Sequence, residues 1–193
     1  SPREDFSEDN YRMGLNSYLD HDIVVKECRR VSDDFHARFQ AAQRDYSYAI
    51  STVPLAIGRR YAWFLYNKLD TGLLEDLAKS IHGKHDFRSF MHARSDAENT
   101  ICDIMNSSWI ITRDALRYSI SGNRFLHNMV RCLVGTMIEV ARGRYTPDMF
   151  RQFLHEPDKE APVVRAPAHG LVLERVHYED DIFQQNQDNS SRG

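Results

Sequence analysis

RFLHNMVRCLVGTMIEVARG, residues 124–143, is the stretch on which the fold turns. Apolar residues at 125, 126, 129, 130, 132–134, 137, 138, 140 and 141 cover well over half of a helical circumference, so the segment predicts a helix from Arg124 to Arg142 buried on most sides. Gly143 is placed to cap its C-terminus. The polar residues Arg124, Asn128, Arg131, Glu139 and Arg142, with Gly135 among them, fall at helical spacing and form one narrow stripe. Arg131 stands mid-helix between Val130 and Cys132, where an unpaired guanidinium is costly, so it should meet a carboxylate or a phosphate. A solvated face or a structural ion pair is the plainer alternative. Gly135 costs about 1 kcal/mol inside a helix, which points to another backbone passing close by.

Working outward, helical patterns cover residues 8–19, the stretch from Asp70 or Thr71 to Ile81 (stopped by Gly83), and a shorter helix opening at Thr146-Pro147. Strand patterns cover 22–31, 45–52, 99–112, 115–122 and 170–178, with turns expected near Asn106-Ser107 and Arg113-Asp114. Pro54 to Arg60 and Pro157 to Pro167 read as loops. Helices and strands alternate without a βαβ rhythm, which predicts an α+β fold with a largely antiparallel sheet flanked by helices.

Composition is that of an ordinary globular domain: 193 residues, 41% hydrophobic and 27% charged. No apolar run is long enough for a membrane span, and the acidic start SPREDFSEDN does not read as a signal peptide. Three cysteines, Cys28, Cys102 and Cys132, lie far apart without CxxC spacing, so free thiols in a reducing cytoplasm are expected rather than a disulfide or a metal site. The net charge of -3 is unevenly spread. Residues 1–10 and 179–193 each carry -3, leaving 11–178 at +3, which permits a nucleic-acid partner without requiring one. Residues 1–10 are expected to be flexible, and the Gln/Asn/Ser-rich 179–193 a disordered tail.

FHARFQAAQRDYSY (35–48) interleaves arginines with aromatic rings, a pattern suited to unpaired bases and phosphates. Its plainer reading is a loop entering a strand whose tyrosines pack in the core. Together with HDFRSF (85–90), FLHNMVRCLVGTMIEVARG (125–143) and APAHGLVLERVHY (166–178), and with LNSYLDHDIVV (15–25) before them, it resembles the ordered signature segments of the tRNA pseudouridine synthase A family. The resemblance covers residues 10–178 and makes 11–178 the later part of that family's catalytic domain.

The resemblance implies isomerisation of uridine to pseudouridine in the tRNA anticodon stem-loop, at positions 38 to 40, by a homodimer using neither cofactor nor metal. It implies that Tyr46 stacks on the target base and that Arg131 pairs with the nucleophilic aspartate. His36, Arg38, Arg44, Arg88 and Arg124 become candidates for phosphate or pocket contacts. Asp45 stands where the family more usually has a second arginine, removing a positive charge beside Tyr46.

The family's nucleophile belongs to a GRTD-type motif upstream of these segments, and no GRTD occurs among these residues. The nearest imitation, Ala93-Arg94-Ser95-Asp96, follows HDFRSF and has the wrong flanks, so Asp96 reads as an exposed loop residue. The expectation is a truncated synthase inactive by itself, with a non-catalytic tRNA-binding or heteromeric partner module as the alternative. No Gly-rich phosphate loop, HExxH or GxSxG is present.

Overall fold

The computed structural model describes residues 6–66, 69–91 and 97–179. Asp96 and its neighbours, residues 1–5 of the acidic start, and the tail beyond Glu179 lie outside the described residues. Two compact units are present: one holds residues up to Ala41 together with the chain from Tyr178, the other runs from Ala42 to His177.

In the first unit, helix α1 (Glu8–Tyr18) starts at a reciprocal capping box between Ser7 and Asn10. Residues 22–31, read as a strand, form none. Their polar backbone goes to side chains instead: Asn16 brackets Val25 with two 2.8 Å bonds, and Glu8 accepts from the Arg30 amide at 2.7 Å. β-Branched composition alone makes no strand when side chains take the ladder bonds.

The second unit is a sheet with helices on one face. Its strands are β1 (Ala41–Ser51), β2 (Trp63–Phe64), β3 (Gly83–Asp86), β4 (Ile101–Ile111), β5 (Ala115–Gly122) and β6 (Leu171–Tyr178). They run in the order β2-β1-β5-β4-β3, with β6 also pairing β1. The β1–β5, β5–β4 and β4–β3 pairs are antiparallel, and the short β1–β2 pair is parallel. The expected turn at Asn106-Ser107 is a β-bulge instead: β4 runs through, and its register with β5 slips between Ile104 and Asn106. The strand β3 was not legible because GKHD carries no apolar alternation.

Alternation does hold on β1. Tyr46, Tyr48 and Ile50 stand opposite Ile120, Tyr118 and Leu116 of β5. Tyr48, Ile50, Leu116, Tyr118 and Ile120 are all buried. Helices α2 (Thr71–Ser80), α3 (Met129–Ala141) and α4 (Pro147–His155) supply the other half of this core. Thr146 caps α4 as read from the sequence, and of the two candidates for α2 it is Asp70 that caps, with Thr71 the first helical residue. No helix among the described residues is long and apolar enough to cross a membrane.

Helix α3 begins at Met129, not Arg124: residues 124–126 are irregular, 127–128 form a turn, and Asn128 is left-handed at φ 66°. Of its thirteen residues only Arg131 is not buried. Such burial is possible because the segment 163–167 lies against the helix at Gly135. A Cβ there would meet the Val164 carbonyl oxygen at 2.1 Å and the Ala166 nitrogen at 2.7 Å. Thr136 fastens the same contact, accepting from the Val164 amide at 3.2 Å while donating to the Cys132 carbonyl at 2.7 Å.

The expected polar stripe is thus divided. Glu139 is buried and pairs with Arg142 at 2.8 Å and Arg144 at 2.9 Å, closing the C-terminal end of α3 as a structural cluster. Only the Arg131 end remains partly open.

Two predictions follow from this packing. Gly135→Ala gains about 1 kcal/mol of helix propensity but forces two backbones apart, and overpacking of this kind typically costs about 1–3 kcal/mol, so a net loss is expected in chemical denaturation. Burial pushes the Cys102 and Cys132 thiols up to about 11. An aromatic disulfide reagent at neutral pH should therefore titrate Cys28 quickly, with Cys102 and Cys132 reacting only on unfolding.

Candidate active site on the turn before helix α3

Arg131 projects from the first turn of α3, and two neutral oxygens fix its guanidinium. Nε donates to the Ala166 carbonyl at 2.8 Å, and Nη1 donates to Asn128 Oδ1 at 2.9 Å. The Ala166 amide in turn donates to the Arg131 carbonyl at 3.0 Å, so the residue's backbone and side chain both grip Ala166. No carboxylate among the described residues pairs with Arg131, and its other N–H groups meet no acceptor among them. Neither a carboxylate partner nor a structural ion pair for this cation is found among the described residues. What they supply is a braced, half-buried guanidinium with its charge uncompensated.

The neighbouring carbonyl, that of Pro167, accepts from the Tyr48 hydroxyl at 2.7 Å. Burial drives the Tyr48 hydroxyl pKa well up, and the positive charge of Arg131 offsets part of that rise. Gly170 allows this approach, since a Cβ there would lie 2.7 Å from the Tyr48 ring. Residues 166–170 are thereby clamped between β1 and α3.

Tyr46 lies on the same face of β1, two residues from Tyr48. It is only partly buried and meets Phe125 edge-on, with ring centroids 5.2 Å apart. Tyr46, Phe125, Asn128 and Arg131 therefore border one region, the turn between β5 and α3. Two of the candidate arginines attach to it as well. Arg44 donates to the Asn123 carbonyl at 2.6 Å, and Arg124, half-buried, sits within the turn itself.

The remaining candidates are placed differently. Arg88 follows the sheet-edge strand β3, separated from β1 by β4 and β5, and its half-exposed side chain approaches Asp86 at 3.8 Å. His36 and Arg38 belong to the first unit, where Arg38 lies over the Phe39 ring at 5.6 Å. A cleft of about 530 Å³ in that unit is lined by Ser7, Arg12, Lys26, Cys28 and their neighbours, and holds none of the candidates. Among the described residues no cluster of His, Cys, Asp or Glu is arranged to hold a metal ion.

A sequence profile described as "tRNA pseudouridine synthase" matches residues 77–179, which include the whole of α3 and the 163–170 clamp. The chain is 35% identical over 174 residues to the tRNA pseudouridine synthase A of Bacillus subtilis, covering 89% of this chain and 70% of that protein. It is 35% identical over 182 residues to the Bacteroides fragilis protein of the same name, covering 94% of this chain and 72% of the relative. This chain belongs to the tRNA pseudouridine synthase family. Members of this family are isomerases, and the mixed fold with its largely antiparallel sheet accords with membership.

Within this synthase fold Asp45 has a second role that the sequence did not disclose. It bonds His177 Nε2 at 2.6 Å and accepts from Gln43 at 2.7 Å, tying β1 to β6 at the strand that carries Tyr46. Partial burial raises its carboxyl pKa, but hydrogen bonds from Gln43, His177 and Ser121 outweigh burial and hold it below the usual value. A depressed carboxylate stabilises the fold above its unfolded pKa of about 4, and that contribution disappears as pH falls through the folded value. Denaturation of the protein and its Asp45→Asn variant should therefore differ at pH 6, and the difference should begin to shrink only as pH falls below about 4.

Proposed function

We propose that this chain is the Tyr46- and Arg131-bearing part of a synthase that isomerises uridine to pseudouridine in the anticodon stem-loop of tRNA, acting as a cytoplasmic homodimer. The reaction moves the base of one nucleotide from N1 to C5 attachment on its own ribose. The N1–C1′ bond breaks, the C5–C1′ bond forms, C5 gives up a proton and N1 gains one. It is redox-neutral and conserves atoms, so no external reactant is consumed. A carboxylate nucleophile divides this exchange into easier steps, and the base must leave its stack to reach it.

The observation that carries the reading is Arg131. Its Nε and Nη1 are tied to Ala166 and Asn128, and the rest of the guanidinium meets no acceptor among the described residues. Planar N–H groups held in this way suit bidentate pairing with a carboxylate. Tyr46 offers a partly exposed ring steadied by Phe125, a surface on which an extruded base can stack. Arg44 and Arg124 add positive charge along the same turn, suited to the backbone of the flipped nucleotide. His36, Arg38 and Arg88 are assigned to phosphate contacts elsewhere on the tRNA.

No GRTD sequence is found in these 193 residues, so the nucleophilic aspartate is assigned to polypeptide outside them, and these residues by themselves are inactive. That same absence favours one other reading, a non-catalytic tRNA-binding or heteromeric partner module. Coding sequence upstream of Ser1 with an in-frame GRTD decides for the synthase.

Binding tests the proposal without turnover. The purified chain should bind an unmodified tRNA with affinity that falls steeply as salt rises, and should yield no detectable pseudouridine. Tyr46→Ala should weaken binding about 5- to 150-fold, the equivalent of one lost base stack, while Tyr46→Phe keeps it. Conversion of uridine by this chain alone, or tRNA affinity indifferent to Tyr46→Ala, overturns the assignment.

A further inference from the structure

We propose that Asn128 is a positioning residue for Arg131: its side-chain oxygen sets the plane in which the guanidinium is presented. The inference rests on the carboxylate-pairing role proposed above and identifies the group that fixes the geometry of that pairing.

Asn128 occupies the N-cap position of α3, where an asparagine ordinarily accepts from an amide of the first helical turn. Here it makes no side-chain cap bond. Its Oδ1 receives Arg131 Nη1 at 2.9 Å instead. A guanidinium only donates, so the amide oxygen and not the amide nitrogen must face it. The residue is also the one non-glycine among the described residues at positive φ, 66° with ψ 1°. Asparagine tolerates this left-handed conformation better than most residues, but glycine adopts it with no steric cost.

Backbone bonds alone account for the shape of the turn. The Met129 amide donates to the Leu126 carbonyl at 3.0 Å, and the Cys132 amide donates to the Asn128 carbonyl at 3.0 Å. Neither needs the asparagine side chain. The left-handed backbone thus places a side-chain oxygen at Nη1 while Ala166 holds Nε at 2.8 Å. Two fixed points on a planar group define its orientation; with Nε alone held, the plane can swing about that one bond and the two Nη groups exchange more readily by flips about the partial double bond Nε–Cζ.

The two roles predict opposite results for Asn128→Gly. A residue kept only for its turn is replaced by glycine without loss. A positioning residue leaves the fold intact, with an unchanged or raised Tm, yet releases the guanidinium. In the chain labelled with nitrogen-15, Arg131 should show separate, slowly exchanging Nη signals, with the Nε–H signal held by Ala166. Asn128→Gly should merge the Nη signals and leave the Nε–H signal in place. Asn128→Asp keeps both an acceptor oxygen and tolerance of positive φ, and should preserve the separate signals.

Unchanged Nη signals in Asn128→Gly, or merged ones in a folded Asn128→Asp, overturn the inference. Neither measurement involves tRNA or a nucleophile, so either failure leaves the proposed reaction standing. Loss of the tRNA result, conversely, leaves the Asn128–Arg131 link intact but without its catalytic meaning.

Discussion

The contact between Gly135 and the Val164–Ala166 backbone is the constraint on which the rest of the second unit depends. With no side chain at 135, one stretch of chain lies against the middle of α3, and only then do the Ala166 amide and carbonyl reach Arg131. The same approach brings the Pro167 carbonyl to the Tyr48 hydroxyl. A glycine that costs helix propensity locally thereby orders a loop, brackets an arginine and fixes the strand carrying Tyr46. The local cost is small beside the number of groups it satisfies.

Helix α3 separates two uses of charge within one element. At its C-terminal end a buried Glu139 is held by two arginines, one on each carboxylate oxygen. At its N-terminal end Arg131 is held by neutral oxygens, which fix its direction without neutralising it. Neutral bracing suits a residue that has to pair with another group: a carboxylate bonded permanently to Arg131 would compete with any incoming one. Asp45 serves the scaffold by linking β1 to β6 beside Tyr46.

Much of this was legible in the amino-acid sequence. The long apolar periodicity of 124–143 announced a buried helix, Thr146 announced its cap, Asp70 and Thr71 narrowed the start of α2 to two residues, and the alternation Tyr46, Tyr48, Ile50 announced a strand with its core face. Gly135 signalled a close backbone approach and the approach is there. Less legible were features set by partners far away in sequence. Residues 22–31 have strand composition, yet Asn16 and Glu8 take their backbone bonds. The bulge in β4 resembled a turn because Asn106-Ser107 has turn chemistry, which strand pairing on both sides overrides. The helix start was placed at Arg124 because apolar spacing continues through the turn, and only the left-handed Asn128 interrupts it.

The sequence by itself determined the family, the mixed fold, the burial of α3 and the singular position of Arg131, because these depend on local periodicity and on motifs read in order. The tertiary structure alone decided what Arg131 touches. Asn128 lies three residues from it, but their bond requires a left-handed turn that no propensity predicts. Ala166 lies 35 residues away and reaches Arg131 only across the gap that Gly135 leaves. Contacts of that kind follow from where packed backbones can approach one another, and residue type records that geometry only at the few positions, such as Gly135, where nothing larger fits.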